Sequence, residues 1–303
     1  MPGVIEVDGI NRVLNVTPSP PDIRDYRFAA EPPVTLQDTY DLVAGFTYDQ
    51  GQQGSCTGNA QAKIYRMLLK AQGASDWDIS RAMIYYESRG LEGTTNQDSG
   101  STLADSMRAL YLYGGCSNQV MPYRDTDFTT SPSAAALQEG LNHQCLAYGI
   151  VNQSADAIGA ALDAKHPVSI GFVVYQNFAP DASGVLPMPA GSALGGHNTV
   201  ITGRYHSRRL YISDNSWGQN WGVTVSGQPG RFLIPYDYVH NPQITFELKD
   251  MTNVEGVIVP PPPPPPPADL WKPFHADRFE HKDWYKFDDG SGEFVWQTSG
   301  KYY

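Results

Sequence analysis

The sequence predicts an α+β fold in which helices come first and strands afterwards, and three observations carry that prediction. Between residues 56 and 165 the apolar residues recur at helical spacing behind serine caps. From Val168 onward they gather instead in short β-branched and aromatic runs. Glycine or proline punctuates most of the junctions. Helices grouped ahead of strands, and not alternating with them, indicate a helical part and a sheet part in one domain.

Length and composition bound the rest. At 303 residues with 41% hydrophobic content, the chain is long enough for one large core plus appendages. A net charge of −11 without a long acidic run argues against a nucleic-acid partner, which would need clustered Lys and Arg. The N-terminus lacks a basic start followed by an apolar stretch, and no uncharged apolar run approaches about 18 residues without Pro or several Gly. Neither a secretory signal nor a membrane span is expected. Cys56, Cys116 and Cys145 allow at most one pair, so no disulfide scaffold is expected, and an intracellular, cytoplasmic setting fits better. His143, His166, His206, His240, His275 and His281 have no paired-ligand spacing, and the cysteines have no zinc spacing, so no metal or cofactor is expected.

Pro2, Pro18, Pro20, Pro21 and Pro32 disfavour a helix near the N-terminus, and residues 1–28 read as an extended arm on the surface. Residues 29–259 form the main domain. Its first strong helix runs from Cys56 toward Gly73, with Ala60, Ile64, Met67, Leu68 and Ala71 on one face. Further helices are predicted over Ile79–Arg89, Ser101–Tyr113 (opened by a capping serine and closed by Gly114-Gly115), Ala134–Leu141 and Ser154–Lys165. Strands follow at Val168–Tyr175, Asn198–Thr202, Leu210–Ser213, Arg231–Ile234, Ile244–Leu248 and Val254–Val259. Residues 260–267 are eight consecutive prolines, a polyproline II spacer of roughly 25 Å at about 3.1 Å per residue. Residues 268–303 hold ten aromatics, with a hairpin expected where Asp283–Phe287 and Glu293–Thr298 flank a Gly-rich turn. An isolated hairpin is marginal in water, so this tail is expected either to dock on the main domain or to bind a protein partner.

The chemistry points to residues 49–60. Cys56 stands between a glycine-rich turn and the first helix, where unpaired backbone N–H groups favour a thiolate. Gln50, across Gly51 and Gly54, can turn an amide donor toward the same point. His197 lies 141 residues further on, in Leu-Gly-Gly-His-Asn-Thr, and Asn215 another 18 on, in Asp-Asn-Ser-Trp-Gly. A lone cysteine at a helix start is more often a small buried residue. Cysteine, histidine, asparagine and glutamine at these spacings reverse that reading.

With these residues the sequence resembles the papain family of cysteine peptidases, over about Pro21 to Val259, in a microbial or viral branch. The long, helical, charged inhibitory prosegment of secreted members is missing. The resemblance implies a two-lobed fold, with a helical lobe carrying the cysteine, a β-barrel lobe carrying histidine and asparagine, and a cleft between them. It implies a cysteine-type endopeptidase acting on polypeptides. Cys56 would be the nucleophile, His197 its proton partner, Asn215 the residue that orients the ring and Gln50 an oxyanion donor. Trp217 would shield the His–Asn bond, Trp221 would wall the leaving-group side, and Gly54, Gly100 and Gly196 would meet the substrate. Three departures stand out: Gln53 replaces a papain cysteine and removes a disulfide, Thr57 replaces the aromatic after the nucleophile, and residues 223–229 lengthen the turn after Trp221. Gly196 stands where papain has an acid.

Other classes compete. The same residues would serve an isopeptidase or transpeptidase, and a non-catalytic binding protein could use this fold. Gly54-Ser-Cys-Thr-Gly58 also matches a nucleophile elbow, but the preceding Phe46–Gln53 is too polar and glycine-rich for the buried strand that motif needs.

Overall fold

The computed structural model describes residues 3–21, 36–254 and three strand segments, 271–274, 284–288 and 294–298. The chain divides into two compact units, 1–257 and 258–303.

The first unit opens with a hairpin of β1 (Gly3–Val7) and β2 (Ile10–Leu14), followed by the short β3 (Thr39–Asp41). Helix α1 (Cys56–Ala71) is buried on nearly every side from Cys56 to Leu69, and it ends where Gly73 takes a positive φ. Ser80 caps α2 (Arg81–Glu92) by accepting from the Met83 N–H. Helix α3 (Leu103–Leu112) is capped by Thr102 and not by the expected Ser101. The Thr102 hydroxyl accepts from the Asp105 N–H, while Ser101 Oγ donates to Glu92. Ser133 and Ser154 cap α4 (Ala134–Gly140) and α5 (Ala155–Asp163) in the usual way.

The strands are β4 (Cys145–Ile150), β5 (Val168–Tyr175), β6 (Ala193–Tyr205), β7 (Leu210–Asp214), β8 (Val223–Val225), β9 (Gln228–Pro235) and β10 (Thr245–Val254); α6 (Tyr236–Val239) is a single turn between the last two. They form one antiparallel sheet in the order β4-β10-β5-β6-β7-β9-β8, with β3 added to β6. The two strands expected at 244–248 and from 254 onward resolve differently. Strand β10 runs unbroken to Val254, accommodating the change through bulges near Asn253, and residues 255–259 lie outside the described residues. The stretch after Trp221 makes the β8–β9 hairpin.

One apolar core lies between the sheet and α5, and a second surrounds α1. A buried charge cluster ties the two parts. Lys63 on α1 reaches Asp214 at 2.9 Å, Arg231 holds the other Asp214 oxygen at 2.5 Å, and Arg231 also pairs with Asp41. Two cations and two anions balance there, and Gln228 and Thr202 bind the remaining Asp214 sites. No helix among the described residues is long and apolar enough to cross a membrane.

The second unit contains an antiparallel sheet of β11 (Trp271–Phe274), β12 (Trp284–Asp288) and β13 (Phe294–Thr298), with Trp271 opposite Phe287 and Trp284 opposite Thr298. The octaproline run and residues 289–293 lie outside the described residues, as do residues 22–28 of the arm.

Candidate active site

Cys56 is the first residue of α1, as its position after the glycine-rich turn requires. The turn is built from side chains. Gly54 N–H donates to both oxygens of Asp98, and Asp98 also accepts from Tyr85 Oη at 2.5 Å. Tyr123 Oη donates to the Gln50 carbonyl. The backbone N–H groups of Thr57, of Cys56 itself and of Asn198, the residue after His197, lie near enough to the thiol to favour its thiolate form. The cysteine therefore lies against the strand that carries the histidine, at the junction of helix and sheet.

His197 projects from β6, and its Nε2 lies 2.8 Å from Asn215 Oδ1, just beyond β7. That amide oxygen also accepts from the Ser216 N–H, which fixes which face of the amide meets the ring. An oxygen acceptor makes Nε2 the protonated nitrogen and leaves Nδ1, which has no hydrogen-bond partner, as the nitrogen available to the thiol. Trp217 stacks on the imidazole at 4.7 Å, and Phe172 and Phe178 meet it edge-on. Trp221 stands one layer back, packed against Trp217, Phe178 and Phe232.

Gln50 is buried and held at both ends. Its Oε1 accepts from Ser216 Oγ at 2.7 Å, and Nε2 donates one hydrogen to the Gln53 carbonyl. A second amide hydrogen remains for an oxyanion. Gln53, in place of the papain-type cysteine, anchors the turn by donating to the Arg124 and Asp127 carbonyls.

Both Cys56 and His197 have no exposure at all, because residues 12–19 lie across them. Leu14 joins the sheet-side core, and Val16 packs on Cys56 and Leu103. The Val16 N–H donates to the Gly196 carbonyl at 3.2 Å, and Ser19 bonds Glu247 on β10 and the Ala104 N–H on α3. The arm thus bridges the helical and sheet parts directly over the thiol. All three glycines singled out in the sequence touch it. A Cβ on Gly196 would strike the Val16 carbonyl oxygen, and one on Gly54 or Gly100 would strike Asn15.

Burial sets the charge state of the covered pair. It pushes the Cys56 thiol up to about 12 against the pull of its backbone donors, and it pushes His197 down to about 4 although the Asn215 bond favours the cation. Beneath the arm the pair is neutral thiol and neutral imidazole. Among the described residues no group of His, Cys, Asp and Glu is placed to hold a metal ion.

Sequence reasoning did not single out Arg12, Asn15 or Val16, because nothing local marks an arm residue as a cleft occupant. Phe178 was also missed; it follows β5 as an isolated aromatic with no periodicity to place it. Ser216 was readable only as part of Asn-Ser-Trp.

A helical part that presents a cysteine to a histidine and an asparagine carried on an antiparallel sheet defines a two-part cysteine peptidase. The chain belongs to the papain family of cysteine proteases, whose family model matches residues 41–227. It is 28% identical over 225 residues to an uncharacterized peptidase C1-like protein of Acanthamoeba polyphaga mimivirus, covering 70% of this chain and 71% of that protein. It is also similar to the crystal structure of xylellain, a cysteine protease from Xylella fastidiosa: 30% identity, 80% of this chain and 96% of that chain covered, TM-score 0.74. A proCathepsin B from Trypanosoma congolense shares the fold at 16% identity and TM-score 0.58, covering 73% of this chain and 79% of that one.

Proposed function

We propose that the chain is an endopeptidase that cleaves polypeptides through a Cys56 acyl-enzyme. The observation that carries this reading is the His197–Asn215 bond at 2.8 Å, which leaves Nδ1 without a partner on the strand that packs against the helix begun by Cys56. Cys56 Sγ, deprotonated by His197 Nδ1, attacks the amide carbonyl carbon. The oxygen takes up negative charge opposite the second Gln50 amide hydrogen and the Cys56 backbone N–H. The C–N bond breaks as the imidazolium returns its proton to the leaving amine. Water, deprotonated by His197, then attacks the thioester, releasing the carboxylic acid and the thiol. Asn215 holds the ring without adding a second negative charge that would over-stabilise the imidazolium. Trp217 keeps water from the His–Asn bond.

The test is labelling with an epoxide-type thiol-protease inhibitor, the labelled residue mapped by mass spectrometry, together with turnover of a peptide library. Label on Cys56 with internal cleavage of peptides is expected. Label elsewhere, or peptide turnover that survives Cys56→Ala, overturns the assignment.

A further inference from the structure

Arg12 occupies a site whose chemistry is defined by what surrounds it. Its Nη1 lies 2.5 Å from Asp49 Oδ1 and 2.9 Å from the Gly51 carbonyl oxygen, and its Nη2 lies 3.1 Å from the Trp217 carbonyl oxygen. One carboxylate and two carbonyls form an all-acceptor rim that matches a planar guanidinium. The rim is rigid. Asp49 and Trp217 form a β-bridge, the Gly218 N–H donates to the Tyr48 carbonyl, and the Gly51 N–H donates back to Asp49 Oδ1.

The place of this niche in the cleft follows from its neighbours. Trp217 stacks on His197, and Gly51 follows Gln50. His197 returns its proton to the departing amine, so the niche lies on the leaving-group side. Arg12 is also near enough to His197 to disfavour its cationic form. The arm enters at this niche, crosses Cys56 at Val16 and reaches Glu247 at Ser19.

Exposure separates the two partners. The Arg12 side chain is 2% exposed, whereas Asp49 is 49% exposed. Water can solvate Asp49 when the guanidinium leaves, so the rim needs no Arg12 to stay folded; the arginine, by contrast, is desolvated only while the arm is seated. This is a separable contact between a ligand side chain and a prebuilt acceptor site.

We propose that Asp49, the Gly51 carbonyl and the Trp217 carbonyl form a guanidinium-binding subsite on the leaving-group side of the cleft, which Arg12 fills to hold the enzyme latent and which a basic residue of the substrate fills once the arm withdraws. The substrate part rests on the peptidase reading above; the latch part rests on geometry alone.

The experiment uses the full-length chain and two readouts. The first is the rate of Cys56 alkylation by an uncharged epoxide, which needs no peptide substrate. Arg12→Gln is expected to raise it about tenfold or more and Arg12→Lys by less, since lysine keeps the charge but not the fork. Rates equal to wild type for R12Q, with its thermal unfolding unchanged, overturn the latch. The second readout is kcat/KM for paired peptides carrying arginine or citrulline at each position after the scissile bond. R12Q is expected to favour arginine about tenfold at one position, and R12Q/D49N to lose that ratio. A ratio near one in R12Q, or a ratio that survives Asp49→Asn, overturns the subsite. If R12Q is alkylated faster yet cleaves neither peptide set, the endopeptidase reading fails while the latch stands.

Discussion

His197 Nε2 and Asn215 Oδ1 stand 2.8 Å apart, yet both residues are buried so completely that the imidazole is held neutral, down to about 4. The unfolded chain takes up a proton near pH 6.5 and the folded chain only near pH 4, so stability is full above pH 6.5 and is lost as the pH falls through that window. The full loss is about 3 kcal/mol. Chemical denaturation at pH 7.5 and pH 4.5 should show wild type losing more stability than His197→Gln. The Cys56 thiol, pushed up to about 12, adds a second window in which stability falls as the pH rises above about 9.

Gln50→Ala removes the proposed oxyanion donor and leaves Ser216 Oγ without its acceptor. Turnover should fall on the order of 10² to 10³, mostly in kcat. Steady-state kinetics decide: a change confined to KM would make Gln50 a binding residue.

Cys56→Ala should abolish peptide hydrolysis with little change in fold, because the side chain contributes only a sulfur to a small contact with Val16 and Leu103. Circular dichroism and thermal unfolding are expected to stay close to wild type, at a cost of about 1 kcal/mol for the lost contact.

Lys63→Met leaves the cluster around Asp214 with an uncompensated buried charge and should destabilise the chain by about 3 kcal/mol. Adding Asp214→Asn should recover part of that loss. A double-mutant cycle in denaturant measures the coupling, and strictly additive effects would show that the ion pair carries none.

Truncation after Val259 removes nearly all of the second unit and none of the site residues. The first unit is expected to keep its unfolding temperature. Increased peptidase activity would identify the tail as a cover for the cleft, whereas unchanged activity with a lost partner would identify it as a targeting element.

Helices α1 to α5 and most of the strands from β5 onward were legible because serine caps and apolar periodicity are local signals, as at Ser80 and Ser154. The expected order of helices first and strands afterwards fails at β1, β2 and β3, which precede α1, and at β4, which lies between α4 and α5. Thr102 replaced Ser101 as a cap because Glu92, at the end of the preceding helix, claims the serine hydroxyl. Strand β4 exposes the neighbouring Leu146 and Ala147 together, so no alternation of apolar and polar residues announced it. At the site, Cys56, His197 and Asn215 could be read from their motifs. Arg12 could not, since its partners Asp49 and Trp217 are brought to it only by the fold of the sheet.

Because Val16 and Cys56 belong to one polypeptide, dilution does not open the cleft. A tethered segment faces its site at an effective concentration on the order of millimolar, so contacts too weak for a free inhibitor suffice to keep most molecules closed. A substrate then meets an affinity reduced by the fraction of molecules that are open. If the arm holds the enzyme latent as proposed, a single cut in the chain between residues 21 and 36 would turn it into an ordinary free peptide, and dilution would then raise the rate of Cys56 alkylation.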